Sequence, residues 1–400
     1  MGTNHKEPTN RPYHLVIFGA SGFTGQFVVE EVARTVSEGP GGNLKWAVAG
    51  RSKQKLEKVL EKAAGVLSKP ELRTEVDILV ADVAEEDSLA AMCKQAVIVL
   101  NCVGPYRFYG EPVVKACVEN GAHHIDISGE PQFLEGMQLN YSSQAAEKGV
   151  YIIGSCGFDS IPADMGVVFT RDQFKGTLTS VESFLTVSSG PDGGCIHDGT
   201  WQSAIYGFAD SQNLRNLRRK FNHKPLPPVG PKLKPRYKIR STHIDKNLIK
   251  KSYAGVGGLG NTIKLMFAGM MFLLLVKFSF GRNLLIKYPE FFSFGAFTKA
   301  GPTRKQMEGS SFQMAFHGVG YTEEQDPSQD KPTTKIRTLV QGPEAGYVAT
   351  PIAMVQSALT ILNEPAALPK KGGVYSPGAA FSKTTLVNRL NKHGIQFSVI

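Results

Sequence analysis

From Tyr13 to Gly154 the chain alternates short apolar runs with longer amphipathic stretches. The apolar runs are YHLVIFG, KWAVAG, DILVAD, AVIVLNCV, HHIDIS and VYIIGS. Between them, segments such as KQKLEKVLEKAAGVL and EPVVKACVENG repeat apolar residues at helical spacing. Nearly continuous apolar strands separated by helices imply a parallel sheet covered on both faces, because neither side of such a strand tolerates water. Beyond residue 177 the period changes to two: SVESFLTV, SFQMAFHGVGY and TKIRTLVQG alternate, as strands of a half-buried antiparallel sheet do. AGYVATPIAMVQSALTIL then reads as an apolar helix able to cover one face of the first sheet. The pattern predicts an α/β chain with a doubly wound parallel sheet over 1–176 and an inserted α+β domain over 177–342. A C-terminal segment, 343–400, is expected to return to the first domain.

One stretch breaks this pattern. Leu265–Val276 holds twelve residues without a charge, and a second apolar run, LLIKYPEFFSFGAF, follows at 284–297. Twelve residues reach about 18 Å as a helix against a hydrocarbon core of about 30 Å. The segment 263–297 is therefore expected to be a hydrophobic hairpin that lies in a lipid surface and does not span it. Lys264, Lys277, Arg282 and Lys287 are placed to reach head groups. Charge sharpens this. Between Arg215 and Lys251 stand thirteen Lys/Arg and one acid, Asp245, whereas the rest of the chain holds 32 basic and 34 acidic residues. This proline-rich basic loop, 215–251, suits an anionic membrane. It has only two aromatics, Phe221 and Tyr237, and no nucleic-acid motif, so a nucleic-acid partner is not expected. Five scattered cysteines without a CxxC pair indicate a reducing compartment, and MGTNHKEPTN lacks the apolar region of a secretory signal. The expected location is the cytoplasmic side of lipid droplets or intracellular membranes, without secretion.

The turn after the first apolar run reads FGASGFTGQFVVEEV, so Gly19, Gly22 and Gly25 form GxxGxxG between a strand and a helix. Gly19 permits the tight turn, Gly22 the approach of a pyrophosphate, and Gly25 close packing of helix on strand. Ser21, Phe23 and Thr24 complete the turn, and the helix N-terminus offers N–H groups to phosphates. This is the signature of a Rossmann-type dinucleotide site. At the end of the second strand, where a site for NAD puts an acid, the chain has Arg51 and Ser52. A guanidinium and a hydroxyl suit a 2′-phosphate, so the expected cofactor is NADP. Asp82 is placed to meet the adenine edge, although a strand-end aspartate also serves as a cap. Val103 and Gly104, in NCVGPY, are expected to pass near the nicotinamide.

Polar residues at the C-terminal ends of later strands are the candidates for substrate handling: Asp126, Ser128, Glu130, Asp159 and Ser160, with His197 and Asp198 in the second domain. Tyr106 is the expected catalytic acid, its phenol donating to a developing oxyanion or carbanion. No tyrosine has lysine four positions on, which excludes the short-chain reductase pair, and no metal site is expected from the spacing of His, Cys, Asp and Glu.

The motifs GASGFTG, AGRS, NCVGPYRFYGEPVVKAC, DISGEPQFL and GFDSIPADMG, with HDGTWQSAIYG, GPEAGYVATPIAMVQ and GGVYSPGAAFSK further on, are similar to those of the saccharopine dehydrogenase-like oxidoreductases. More distantly the chain resembles the mycobacterial trans-acting enoyl reductases. The resemblance covers nearly the whole chain outside about 212–255 and implies a Rossmann domain with a nicotinamide cofactor. The expected function is NADP-dependent hydride transfer to a hydrophobic, lipid-like substrate. The alternative is a catalytically silent scaffold that binds nucleotide or lipid. Homo-oligomerisation stays open.

Overall fold

The computed structural model describes residues 11–221, 242–245, 248–254, 259–326 and 329–400. The part of the basic loop at 222–241 lies outside the described residues. The chain divides into two compact units, one of Met1–Gly157 with Thr350–Thr384, the other of Phe158–Ala349 with Thr385–Ile400.

The first unit is built on β1 (Tyr13–Phe18), β2 (Trp46–Gly50), β3 (Asp77–Val80), β4 (Ala96–Asn101), β5 (His123–Asp126) and β6 (Tyr151–Ile153). With the late strand Gly373–Tyr375 they form a seven-stranded sheet, ordered Gly373–Tyr375, β6, β5, β4, β1, β2, β3. Every neighbouring pair is parallel. Leu15, Val16, Ile17, Ile98, Val99 and Leu100 are wholly enclosed, as central strands covered on both faces require. The chain runs from β1 through β2 to β3 on one side, then crosses to β4 on the other. The loops after β1 and β4 therefore diverge and leave a crevice, the place where doubly wound sheets bind ligands. The helix Phe23–Arg34 turns Phe27, Val28, Val29 and Val32 inward, and the helix Thr350–Asn363 packs on it and on β4 and β5. Ala345–Asn363 is the one described helical stretch long and apolar enough to cross a membrane. It is a core element: every residue from Thr350 to Ile361 is buried.

The second unit holds a six-stranded sheet ordered Gln396–Val399, Thr334–Pro343, Ser311–Tyr321, Thr177–Ser188, Leu248–Ala254, Thr242–Asp245. Its pairs are antiparallel except Thr177–Ser188 with Leu248–Ala254. Period-two patterning is visible in Ser311–Tyr321, where Phe312, Met314 and Phe316 are buried while Ser311 and Gln313 are exposed. The helix Ile161–Gln173 lies on this sheet; Gly166 makes room for Phe316, since a Cβ there would stand 2.2 Å from its ring.

Two boundaries differ from the sequence reading. The first unit stops at Gly157 and not at 176, because the helix Ile161–Gln173 packs on the second sheet. The tail returns to the first sheet only over Thr350–Thr384; its end, Gln396–Val399, pairs with Thr334–Pro343 as an edge strand of the second sheet.

The apolar stretch forms a helix, Leu259–Leu275, followed by Ser279–Lys287 and a short turn of helix, Pro289–Phe292. Gly281 closes the bend between the first two, since a Cβ there would lie 2.2 Å from the Leu275 carbonyl oxygen. Few of its apolar residues whose burial is described are enclosed. Phe272, Val276 and Leu285 gather round Trp201 and Ile205, and the Trp201 indole N–H donates to the Leu285 carbonyl at 3.0 Å. Ile263, Met266, Phe267, Met270, Leu273, Leu274, Phe278, Phe280, Phe291 and Phe294 are each at least half exposed.

Candidate functional site

A cleft of about 340 Å³ lies in the first unit at the ends of β1, β2 and β4. Gly19, Ser21, Gly22, Arg51, Val103 and Gly104, all expected from the sequence, line it. Gly19 has φ +83°, a backbone that only glycine adopts without strain, and a Cβ there would strike Val103 at 2.7 Å. The turn after β1 and the loop after β4 are thus in direct contact. Gly25 lets the helix begin against the turn, because a Cβ at this position would lie 2.2 Å from the Gly19 carbonyl oxygen. Gly22 is the N-cap, and no side chain caps the helix, so the N–H groups of its opening turn meet no capping side chain. Residues that sequence reasoning missed also line the cleft: Phe18, Gly50, Lys55, Val83, Cys102 and Tyr109. Lys55 sits one helical turn beyond Arg51, a spacing that was available as a signal. Tyr109 belongs to the same YRFYG segment as Tyr106 and gave no sign of which ring faces outward.

Other expected residues are set back from the cleft. Phe23, Thr24 and Gly25 belong to the first turn of the helix Phe23–Arg34. Ser52 caps the helix Lys53–Leu67, its hydroxyl accepting from the Lys55 N–H at 3.4 Å. Asp82 is a turn cap: its carboxylate accepts from the Ala84 N–H at 3.0 Å, and Val83 reaches the cleft in its place.

Tyr106 requires a correction. Its ring is buried against Phe133, and its hydroxyl donates to the Asn101 carbonyl at 2.8 Å. Burial pushes the phenol well above its ordinary range. The proton that the sequence assigned to catalysis is committed to the interior. Tyr106→Phe should accordingly cost about 1 kcal/mol of stability, the worth of one hydrogen bond, and leave cofactor affinity unchanged. Urea unfolding together with cofactor titration checks this; a variant of full stability but reduced affinity would return the hydroxyl to the site.

The DISGE segment, expected to handle substrate, is also inside. Glu130 holds the start of the helix Tyr106–Asn120, accepting from the N–H groups of Tyr106 at 2.9 Å and Arg107 at 3.3 Å. The Ser128 hydroxyl accepts from the Glu130 N–H. Asp126, 1% exposed, accepts from the N–H groups of Ser128 and Ser155. Desolvation nevertheless raises its carboxyl from 3.8 to about 7. A raised folded-state value contributes stability that is complete at low pH and lost as pH climbs through 7. In the second unit, Asp159 is exposed and Ser160 makes no side-chain cap to the helix Ile161–Gln173. His197 caps the helix Asp198–Ala209 by accepting from the Gly199 N–H at 3.1 Å, and Asp198 accepts from Gln202.

Residues 15–153, which include every residue lining the cleft, match the saccharopine dehydrogenase NADP binding domain. A human protein named saccharopine dehydrogenase-like oxidoreductase is 59% identical over 419 residues, spanning 98% of this chain and 98% of that protein. The chain belongs to the saccharopine dehydrogenase-like oxidoreductase family. It is an NADP-binding oxidoreductase. A Caenorhabditis elegans chain named lipid droplet localized protein is 39% identical over 423 residues, covering 97% of this chain and 98% of that one. In fold the chain is similar to apo saccharopine dehydrogenase (L-Glu forming) from Saccharomyces cerevisiae. The TM-score is 0.52 at 10% identity, over 97% of this chain and 100% of that one.

Proposed function

We propose that this protein transfers hydride between NADP and a C=C, C=N or C=O group of a hydrophobic, lipid-like substrate, and that it works on a lipid surface such as that of a lipid droplet. The cleft suits the cofactor, because a glycine turn opening a helix without a side-chain cap and two basic side chains, Arg51 and Lys55, line it. In this reading Gly19, Ser21 and Gly22 cradle the pyrophosphate at the helix N-terminus. Arg51 and Lys55 pair with the 2′-phosphate, and Val103 and Gly104 form the facing wall. Bound NADPH supplies the hydride; the chain's own residues bind, orient and exclude water.

The observation that carries the lipid half is the exposed apolar face of 263–294. Ten large apolar side chains at least half exposed in one segment are foreign to the surface of a soluble monomer. Withdrawing each from water into an acyl layer gains about 1 kcal/mol. Trp201 and its neighbours fix the base of the segment, so the face is presented already ordered. Lys277 and Lys287 are exposed and long enough to reach head groups, Lys287 from a position over the Tyr288 ring. Arg282 has another use: its guanidinium donates to the Val276 carbonyl and the Ser279 hydroxyl, closing the bend. The worm relative's name points the same way.

Flotation tests the surface reading. The wild-type chain should rise with anionic liposomes or isolated droplets, whereas Met270→Asp with Leu274→Asp, both at 55% exposed positions, should stay folded and remain in the soluble fraction. Wild type that fails to float sinks the proposal. Incubating the wild type with NADPH and a lipid extract, then searching by mass spectrometry for a two-hydrogen shift, tests the chemistry.

A further inference from the structure

At the end of β4, Asn101 is completely enclosed. Its Oδ1 accepts from the Val103 N–H at 3.0 Å, and Val103 is the cleft residue in contact with the Gly19 turn. Because the oxygen must face that N–H, the amide nitrogen faces His124, 3.4 Å from Nε2. An amide nitrogen only donates, so Nε2 accepts, and the single proton of a neutral imidazole sits on Nδ1. Nδ1 is buried, makes no hydrogen bond and lies 3.7 Å from Asp126 Oδ2. The other carboxylate oxygen, Oδ1, already takes the N–H groups of Ser128 at 2.8 Å and Ser155 at 3.1 Å. A buried polar chain thus runs from the cleft wall to a carboxylate behind it.

We propose that Asn101 is the positioning residue of the cofactor cleft, and that the chain Asn101–His124–Asp126 ties NADPH affinity to the charge on Asp126. This rests on the reading of the cleft as the cofactor site. Burial depresses His124 to about 3, so the imidazole is neutral and its contact with Asp126 is not an ion pair. Asp126, near 7, is the member of the chain that changes charge close to neutrality. The other titratable groups that act on it are Cys102 and Tyr106 from the β4 side and Glu130 from the loop after β5. From β6 it meets Gly154 and the Ser155 backbone. Ionised, Oδ2 draws the Nδ1–H across the 3.7 Å gap and turns the ring away from an Asn101 contact that is already long. Asn101 then loosens its hold on Val103. Affinity is therefore highest below neutrality and falls as pH rises through 7.

The test is fluorescence titration of the full chain with NADPH from about pH 6 to about pH 9, with unfolding followed in parallel. The 2′-phosphate titrates in this range too, but equally for every variant, so differences between profiles are what count. Wild type should lose about fivefold in affinity across the range beyond any change in Asp126→Asn, whose Oδ1 still accepts both N–H groups. Asn101→Ala should bind about tenfold more weakly at low pH and show the flat profile of Asp126→Asn. A merely structural Asn101 would weaken binding yet keep the wild-type slope, which overturns the proposal, as would superimposable profiles for wild type and Asp126→Asn. If Asn101→Ala does not fold, that second comparison decides alone. Gly22→Val runs alongside: normal binding there overturns the cleft reading itself, whereas lost binding there with an unaltered Asn101→Ala overturns only the positioning role.

Discussion

Gly22→Val should reduce NADPH affinity by at least about a hundredfold while leaving the unfolding midpoint and far-UV spectrum close to those of the wild type. Gly22 has φ −71°, open to any residue, and a Cβ built on it meets nothing closer than the Gly19 carbonyl oxygen at 3.1 Å. The fold can absorb that with a small shift. The remaining methyl groups project into the cleft, where they fill the space in which a pyrophosphate approaches the backbone. Gly25→Ala supplies the contrast, because its Cβ would lie 2.2 Å from the Gly19 oxygen and 2.9 Å from the Ala20 Cα. Backbone cannot step aside as a side chain can, and about 3 kcal/mol of overpacking should appear as lost stability. Fluorescence titration with chemical unfolding separates the two outcomes. A folded Gly22→Val chain that binds NADPH normally would make the glycine turn purely architectural.

Arg51→Asp should reverse cofactor preference, costing NADPH about a hundredfold and leaving NADH bound as well as before or better. Arg51 is exposed at the rim of the cleft, so the substitution has little to disturb in the fold. A carboxylate there repels a 2′-phosphate and can accept from a 2′-hydroxyl instead. Lys55, one turn on and in the same cleft, retains part of the attraction, and replacing it as well should deepen the loss. Titration of wild type and variant with both cofactors checks this; equal wild-type affinities for NADPH and NADH would refute it.

What could be read from the residues depended on whether the signal was local. GASGFTG carries its own geometry, since a strand before it and a helix after it leave one way to place three glycines, and the cleft lies where they put it. The unpaired apolar character of 263–297 was equally local, and most of these side chains are indeed exposed. The direction of individual side chains was not local. Tyr106 and Tyr109 stand in one helical segment, yet the first is enclosed by Phe133 and the second faces the cleft. Only the packing of a helix 25 residues further on decides between them. Phe272 is likewise indistinguishable in sequence from Met270 or Leu274, but Trp201, from a distant helix, packs against it with ring centroids 5.1 Å apart and makes it an anchor. Asp126 was legible as a strand-end carboxylate, but its relation to Asn101 and His124 exists only once β4 and β5 lie side by side.

The first sheet is assembled from two separated stretches of chain, and this has a consequence for the order in which the protein is made. Its outer strand, Gly373–Tyr375, and the helix Thr350–Asn363 that seals β4 and β5 are translated after nearly two hundred intervening residues. On the ribosome, β4 and β5 therefore wait for the helix that covers them while the greasy helices of 259–292 are already emerging. Such a nascent chain presents two sticky surfaces at once, the condition that chaperones serve. Completion of the nucleotide-binding unit is thereby postponed to the last moments of synthesis, so a ribosome that stops early releases a chain with no finished cofactor fold.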